Sequence, residues 1–179
     1  LTGLWVADGN AGTASIATNL PVKPDDVDGI VETAKSIGID LVVVGPEQPL
    51  ALGVVDRLSA LGIPAFGPTR AASQLEASKG FALEVMREAG VPSPDFQVFR
   101  EQWEALDYLE SHPGPVVVKA DGLAAGKGVC LCANADEAAA AVRACMSGRI
   151  FGTAGETVVI QEMLTGPEVS VFAFCDGKH

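Results

Sequence analysis

A lysine followed by a glycine-rich stretch is the strongest chemical signal in this sequence. Lys119 ends the apolar run Val116–Val118, and three glycines lie between residues 121 and 128. Glycines let backbone N–H groups approach an anion closely. An ammonium group at the end of a buried strand needs an anionic partner or a path to water, because an unpaired charge there is costly. The pattern predicts a cover over a phosphate group, with Lys119 beneath it.

The same stretch differs from a Walker A loop. The spacing from Gly122 to Gly126 is one residue short, Gly128 stands where that motif has Ser or Thr, and we predict a strand after it instead of a helix. These differences favour a flap between two strands. Two alternatives remain open: a mobile surface turn of the same composition, and a salt bridge from Lys119 to Glu162 or Glu168.

A predicted strand at residues 157–163 and the acidic residue after it offer further nucleotide contacts. The end of a strand can present N–H and C=O groups to the edge of an adenine ring, and a carboxylate can accept hydrogen bonds from ribose hydroxyls. Glu168 is the candidate for the ribose contact. The alternative is a solvated glutamate in a hairpin turn.

The composition is that of a folded globular protein. Of 179 residues, 48% are hydrophobic and 20% are charged, and the net charge of -11 comes with only 12 scattered Lys and Arg residues. These features argue against nucleic acid or an anionic membrane as a partner. An acidic chain that handles phosphate must do so locally, with backbone amides, a few lysines and a metal ion.

The four cysteines indicate a reduced environment. No secretory signal or long apolar run accompanies them, so we predict a cytoplasmic protein. Cys130 and Cys132 share one face of a predicted strand, as two zinc ligands would. However, His112 and His179 lack a ligand-like spacing to them, which favours buried thiols over a zinc site.

The elements that must position these residues form an α/β pattern. Alternating helices and strands favour a largely parallel sheet in the first part. We predict helices at 25–38, with Asp25 as the N-cap, at 51–61 and across 69–90, and strands at 41–44 and 63–66. The inward residues would be Val54, Val55, Leu58 and Leu61 in the second helix, and Phe81, Val85, Met86 and Ala89 in the third.

The loops after the two strands are the natural ligand-binding positions of this first part. Gly45–Glu47 and Gly67–Thr69 follow them, and open α/β sheets bind ligands at the carboxyl ends of their strands. Ordinary turns would have the same composition.

A second domain follows, with strands predicted near 96–99, 115–119, 129–133, 157–163 and 168–175. The last two would form an antiparallel pair. One helix is predicted near 101–110, and another follows Asn134, which forms a capping-box pattern with Glu137. The buried face of that helix would carry Ala138, Ala141, Val142, Cys145 and Met146.

Six sequence blocks, in order, resemble the glycinamide ribonucleotide synthetase (phosphoribosylamine-glycine ligase) family of the ATP-grasp superfamily. The blocks are GNAGTA from 9, VVGPEQPL from 43, FGPT from 66, QLEASK from 74, VVVKADGLAAGKGV from 116 and EMLTGPEVS from 162. The resemblance implies a Rossmann-like pre-ATP-grasp domain at 1–75 without its first strand. It also implies the first part of an ATP-grasp α+β domain at 76–179, with a small lid subdomain at about 115–175.

The resemblance also implies a reaction of de novo purine biosynthesis. ATP would phosphorylate the carboxylate of glycine, and the amine of 5-phosphoribosylamine would attack the acyl phosphate to give glycinamide ribonucleotide, ADP and phosphate. The implied cofactors are ATP with Mg²⁺ or Mn²⁺, and the other partners are small molecules. Phosphoryl transfer depends on positioning and charge neutralisation, so no residue of this chain is assigned as nucleophile or base.

Site residues follow from the matched blocks. Lys79 and Lys119 would hold phosphates, the flap would close over them, and Lys127 would add positive charge. The residues implied in ATP binding are Lys79, Lys119, Asp121, Gly122, Gly126, Lys127, Gly128, Gln161, Glu162, Met163, Leu164 and Glu168. Those implied in binding the ribosylamine are Gly9, Asn10, Gly12, Thr13, Gly45, Pro46 and Glu47, with Glu47 accepting hydrogen bonds from the ribose.

The chain also departs from the family pattern. The family's first strand and its GNGGREH-like loop have no counterpart, and neither has the second half of the ATP-grasp domain with its metal ligands. We therefore expect a fragment that holds no metal ligand of its own and does not catalyse ligation alone. The alternatives are another ATP-grasp carboxylate-amine ligase or a non-catalytic nucleotide-binding module.

Overall fold

The computed structural model describes residues 2–124, 126–148 and 150–175. Leu1, Ala125 of the flap, Arg149 and residues 176–179 lie outside this description, and so does the suggestion that His179 might serve a zinc site. The first part contains two parallel strand pairs, β1 (Trp5–Ala7) with β2 (Thr18–Leu20) and β3 (Val42–Val43) with β4 (Ala65–Phe66). The parallel arrangement predicted for this part is confirmed.

Helix α1 (Val27–Ile37) has the signals expected at both ends. Its N-cap is Asp26, one residue later than predicted, because the Asp26 carboxylate accepts a hydrogen bond from the Gly29 N–H at 2.9 Å. The helix ends at Gly38, whose φ of 72° is the left-handed conformation typical of a helix C-terminus.

The helix predicted at 51–61 is in fact two short helices, α2 (Glu47–Ala51) and α3 (Val54–Ala60). Gly53 separates them with a φ of 88°, which a helix cannot contain. Val54, Val55 and Leu58 are buried as predicted. Leu61 is 51% exposed, contrary to prediction, because it lies just beyond the end of α3.

The helical region predicted across 69–90 is also divided. Helix α4 (Gln74–Ala77) and helix α5 (Lys79–Glu88) are separated by Ser78 alone, whose backbone is extended. The predicted buried face of α5 is wrong, since Phe81 is 42% exposed and Ala89 is exposed, whereas Val85 and Met86 are only half-buried. The buried residues of α5 are Gly80 and Leu83.

The second part is one four-stranded antiparallel sheet with its strands in the order β5, β8, β6, β7. The strands are β5 (Phe96–Phe99), β6 (Val116–Ala120), β7 (Val129–Cys132) and β8 (Val158–Glu162). Helices α6 (Gln102–Ser111) and α7 (Ala135–Met146) pack together against one face of this sheet. The core between them includes Leu109, Val118, Val142, Cys145 and Ile160.

Helix α7 begins with the capping arrangement predicted for it. The Asn134 side chain accepts from the Glu137 N–H at 3.0 Å, and the Glu137 carboxylate accepts from the Ala133 N–H at 2.9 Å. In the usual capping box the glutamate binds the N–H of the N-cap residue itself, so here the contact is displaced by one residue. Among the residues described, no helix is long and apolar enough to cross a membrane.

The antiparallel strand predicted at 168–175 is not formed. Residues 163–175 have no strand structure, and Val171, Phe172 and Phe174 are 88–92% exposed. Strand β8 already pairs with β5 on one side and with β6 on the other. Both edges of β8 are therefore already paired, and a strand at 168–175 could not form a hairpin with it.

Candidate functional site

One face of the four-stranded sheet carries the candidate nucleotide residues. Lys119 in β6 lies opposite Val159 in β8, and Val117 lies opposite Gln161. Opposed residues point to the same face, and their neighbours Val118 and Ile160 belong to the core beneath α6 and α7. Lys119 and the buried Gln161 therefore share the sheet face that turns away from those two helices.

The ammonium group of Lys119 lies in an unfavourable setting for a positive charge. Burial lowers the pKa of Lys119, and the positive charge of Lys79 lowers it further. The alternative of a salt bridge to Glu162 or Glu168 is not realised, because the only ion pair among the described residues joins Arg57 and Asp28. A bound anion would relieve both the burial and the repulsion.

Helix α5 brings Lys79 to the same place. The Lys79 ammonium donates to the Gly122 carbonyl oxygen at 2.9 Å, at the start of the flap. The helix can approach the sheet closely because Gly80 has no side chain: a Cβ there would lie 3.1 Å from a methyl group of Val98. The two lysines predicted to hold phosphates thus come together, although 40 positions separate them in the sequence.

Asp121 connects the start of the flap to the start of α5. Its carboxylate oxygens accept from the Ser78 hydroxyl at 3.1 and 3.0 Å, and one of them accepts from the Gly80 N–H at 3.0 Å. The Asp121 N–H donates to the Thr157 carbonyl at 2.9 Å. Ser78 and Gly80 were not among the predicted site residues, although a serine just before Lys79 is a typical N-cap signal.

Two of the three flap glycines lie where a side chain would collide. A Cβ on Gly122 would lie 2.7 Å from the Ala154 Cβ, and one on Gly128 would lie 2.8 Å from the Ala124 Cβ. Gly126 has a φ of 75°, and the Lys127 N–H closes the turn onto the Ala124 carbonyl at 3.0 Å. The Lys127 residue is exposed, so it is free to meet a ligand above the flap.

The residues predicted to line the adenine edge lie at the end of β8. Glu162 is held there, because its N–H donates to the Asp95 carbonyl at 2.8 Å and its carboxylate accepts from the Asp95 N–H at 3.4 Å. Met163 is half-buried and Leu164 is 62% exposed. Glu168 lies in the exposed irregular segment and, among the described residues, forms no ion pair with Lys79 or Lys119.

The loop predicted to bind the ribosylamine is ordered by its own side chains. The Asn10 side-chain oxygen accepts from the N–H groups of Gly12 at 2.8 Å and Thr13 at 3.2 Å. Asn19 of β2 accepts from the Thr13 hydroxyl and donates to the Asn10 carbonyl, both at 2.8 Å. A Cβ on Gly9 would lie 2.1 Å from the Asn19 oxygen. Asn19 was not among the predicted site residues, because nothing in its local sequence shows that β2 lies beside the loop at residues 9–13.

The loop after β3 is more open. Pro46 is the N-cap of α2, Glu47 is the first helical residue, and the Glu47 side chain is exposed. A Cβ on Gly45 would meet no atom within 4 Å, whereas one on Gly67 after β4 would lie 2.9 Å from Leu50. Because β3 and β4 are parallel, both loops leave the carboxyl end of the strand pair.

Three of the four thiols, those of Cys130, Cys132 and Cys145, pack as apolar side chains, whereas Cys175 is exposed. Cys132 and Cys145 are buried, and Cys130 is half-buried beside them. Burial raises the pKa of Cys132 and of Cys145, which favours their protonated, unreactive form. No group of three His, Cys, Asp or Glu side chains suited to a metal ion occurs within residues 2–124, 126–148 and 150–175.

Comparison with protein families finds two adjacent matches. Residues 1–76 match the family described as phosphoribosylglycinamide synthetase, N domain, and residues 77–179 match the ATP-grasp (A) domain of the same synthetase. The junction of the two matches lies at the end of α4.

Individual proteins and solved structures that are similar to this chain include ligases of the same family. The chain is 46% identical over 181 residues to a phosphoribosylamine-glycine ligase of Rhodopirellula baltica, covering 98% of this chain and 41% of the relative. It is similar to the crystal structure of the Thermotoga maritima phosphoribosylamine-glycine ligase, with TM-score 0.75, 28% identity and coverage of 92% and 39%. The fold is also similar to the biotin carboxylase domain of a Hydrogenobacter thermophilus 2-oxoglutarate carboxylase bound to MgADP, with TM-score 0.70, 21% identity and coverage of 89% and 38%.

Proposed function

The chain belongs to the phosphoribosylglycinamide synthetase family, and from this premise we propose that the whole protein joins glycine to 5-phosphoribosylamine at the expense of ATP. The products are glycinamide ribonucleotide, ADP and phosphate, in de novo purine biosynthesis. The chain spans 41% of the length of the Rhodopirellula baltica relative, so the proposal concerns the complete polypeptide.

The observation that carries this proposal is the pair of lysines beside the flap. Lys119 lies on the sheet face away from α6 and α7, and Lys79 reaches the first glycine of the flap from α5. Within the described part, the only hydrogen-bond or ion-pair partner of these two ammonium groups is the neutral carbonyl of Gly122. Two such positive charges suit the multiple negative charges of a nucleoside triphosphate. We therefore assign the ATP phosphates to this place, and the adenine to the end of β8.

The proposed work of these residues is charge neutralisation and exclusion of water. Lys79 and Lys119 offset the charge that develops on the transferred phosphoryl group. The flap covers the acyl phosphate and protects it from hydrolysis. When bound, Mg²⁺ or Mn²⁺ would supply further positive charge to the phosphates. The described residues contain no cluster suited to such a cation, so no metal ligand is assigned to this chain.

The remaining assignments form part of the same proposal. The ribosylamine is placed at the loops 9–13 and 45–47, and glycine and ATP are the other small-molecule partners, in the cytoplasm. The substrate domain would span residues 1–75 and the ATP-grasp part 76–179, with a lid at about 115–175. Neither nucleic acid nor a membrane has a role.

The direct test is ADP release by the purified complete protein. We expect release only when ATP, glycine and 5-phosphoribosylamine are all present, because the acyl phosphate is consumed only by the amine. The 179-residue chain alone is expected to release none and serves as a control. Equal release with another amine or with another carboxylic acid would point to a different ATP-grasp ligase.

Gly45 allows a selective test of the ribosylamine site. In Gly45→Ala the new Cβ meets no protein atom within 4 Å, so the melting temperature should stay unchanged. If the ribosylamine lies against this backbone, the same Cβ should raise its KM by about tenfold, as a small displacement in a fitted site does, and leave the KM for ATP unaltered.

Gly114→Ala is the matched control for Gly45→Ala. Gly114 also has open space around it, and neither glycine has a φ in the left-handed region. The control should alter neither KM. Equal ribosylamine KM values for Gly45→Ala and the parent would remove this loop from the site.

A further inference from the structure

We propose that Asp121 is a positioning residue, which ties the start of α5 to the start of the flap and so holds Lys79 beside Lys119. This inference rests on the proposed function, because it concerns the two lysines assigned to the ATP phosphates. The resemblance implied Asp121 in ATP binding, and the inference makes that role indirect: its carboxylate binds Ser78 and Gly80 and would not itself contact the phosphates.

The pairing of the lysines needs such a device. Two ammonium groups repel each other, and the repulsion grows as water is excluded around them. Lys119 is fixed by its strand, which pairs with β7 and β8. Lys79, by contrast, is the first residue of α5, where a helix is least constrained. Without a further restraint, repulsion would favour movement of α5 away from the sheet.

Asp121 supplies that restraint from the neighbouring strand end. Its carboxylate binds Ser78 and Gly80, the residues on either side of Lys79, at 3.0 to 3.1 Å. Asp121 is itself anchored, because its N–H donates to the Thr157 carbonyl and it directly follows the end of β6. The negative charge also lies at the N-terminus of α5, where the helix dipole favours an anion.

This tie is not required for α5 to begin. Ser78 already provides the local N-cap, since its hydroxyl oxygen accepts from the Phe81 N–H at 3.1 Å. The contacts of Asp121 instead join segments more than 40 residues apart in the sequence. A long-range hydrogen bond of a charged group adds to tertiary placement more than to helix formation. Asp121 therefore acts on where α5 lies, and so on where Lys79 points.

A double-mutant cycle on the complete protein tests this mechanism. ATP dissociation constants would be measured by calorimetry for Asp121→Ala, Lys79→Met and the double variant. We expect Asp121→Ala to weaken ATP binding about tenfold, and the double variant to bind within about twofold of Lys79→Met, since two residues that act through one contact are non-additive. Asp121→Asn, which keeps an acceptor oxygen, should restore most of the affinity.

Hydrogen exchange without nucleotide gives a second readout. The Gly80 amide should exchange faster in Asp121→Ala, because its acceptor is gone. Asp136→Asn is the matched control: it also removes a carboxylate from the first turn of a helix, α7, and should change neither readout. Additive losses in the cycle, or unchanged exchange at Gly80, would overturn the positioning role. A different result would separate the two proposals: faster Gly80 exchange in Asp121→Ala, with the ATP affinity of Lys79→Met equal to that of the parent. This result would overturn the assignment of ATP to this place and leave the contact of Asp121 with α5 intact.

Discussion

Replacing Lys119 by alanine should weaken ATP binding to the complete protein about 30-fold or more, equivalent to about 2 kcal/mol. The reason is the position of the ammonium group. It projects from a strand held between two others, on the sheet face that Lys79 also approaches. Lys79 belongs to a separate helix, so its ammonium group does not occupy the position of Lys119. Isothermal calorimetry on the parent and the variant gives the two dissociation constants.

The matched control for Lys119→Ala is Lys127→Ala. Lys127 is exposed at the flap and is not part of a strand, so its loss should cost only a few-fold, as is usual for a solvated charge. A Lys119→Ala variant with the affinity of the parent would remove Lys119 from the phosphate site.

The same lysine predicts how ATP affinity depends on pH. In the free protein, burial and the charge of Lys79 lower the pKa of Lys119. Bound phosphate stabilises the ammonium form and raises that pKa again. Affinity should therefore be full below the lowered pKa and fall as pH rises through it, with proton uptake on binding in this range. Calorimetry in buffers of different ionisation enthalpy measures the uptake. Lys119→Arg should show none, because a guanidinium stays charged.

Replacing Ile160 by alanine should lower the free energy of unfolding of the chain by about 2 to 5 kcal/mol. Ile160 is 1% exposed, and its strand β8 has a neighbour on each side, so the space left by the side chain is enclosed between the sheet and α6 and α7. Urea denaturation followed by circular dichroism measures the loss.

Leu131→Ala serves as the control for Ile160→Ala. Leu131 lies in the edge strand β7 of the same sheet and is 74% exposed, so its truncation should cost within about 0.5 kcal/mol. Similar losses for both variants would show that the packing of the sheet against α6 and α7 does not dominate stability.

Features governed by local sequence were predictable. Strand β5 lies at the predicted residues, and α7 starts directly after its predicted N-cap, Asn134, because its capping side chains are close in sequence. The interruptions of the predicted helices at Gly53 and Ser78 were not predictable. At both places the helical spacing of the apolar residues continues across the interruption, so the sequence pattern does not reveal it. The strand predicted at 168–175 failed for a different reason: alternation of apolar residues is local, whereas the pairing of β8 depends on distant strands.

The candidate site shows the same division. Lys119 and the flap could be connected from the sequence because they are contiguous and their chemistry is complementary. The hydrogen bonds from Ser78 and Gly80 to Asp121, and those of Asn19 to the loop at Asn10, arise only when separate elements meet. Side-chain type alone does not show which of many possible partners a carboxylate or an amide will have.

The single residue between α4 and α5 has a consequence for protein engineering. Helix α4 ends at Ala77 and α5 starts at Lys79, and the two family matches meet at residues 76 and 77. A helix turns by about 100° per residue, so one residue gained or lost at the start of α5 would rotate Lys79 to another side of the helix. Chimaeras that exchange the two domains between relatives must therefore preserve the chain length of this junction, because it has no slack to absorb an insertion.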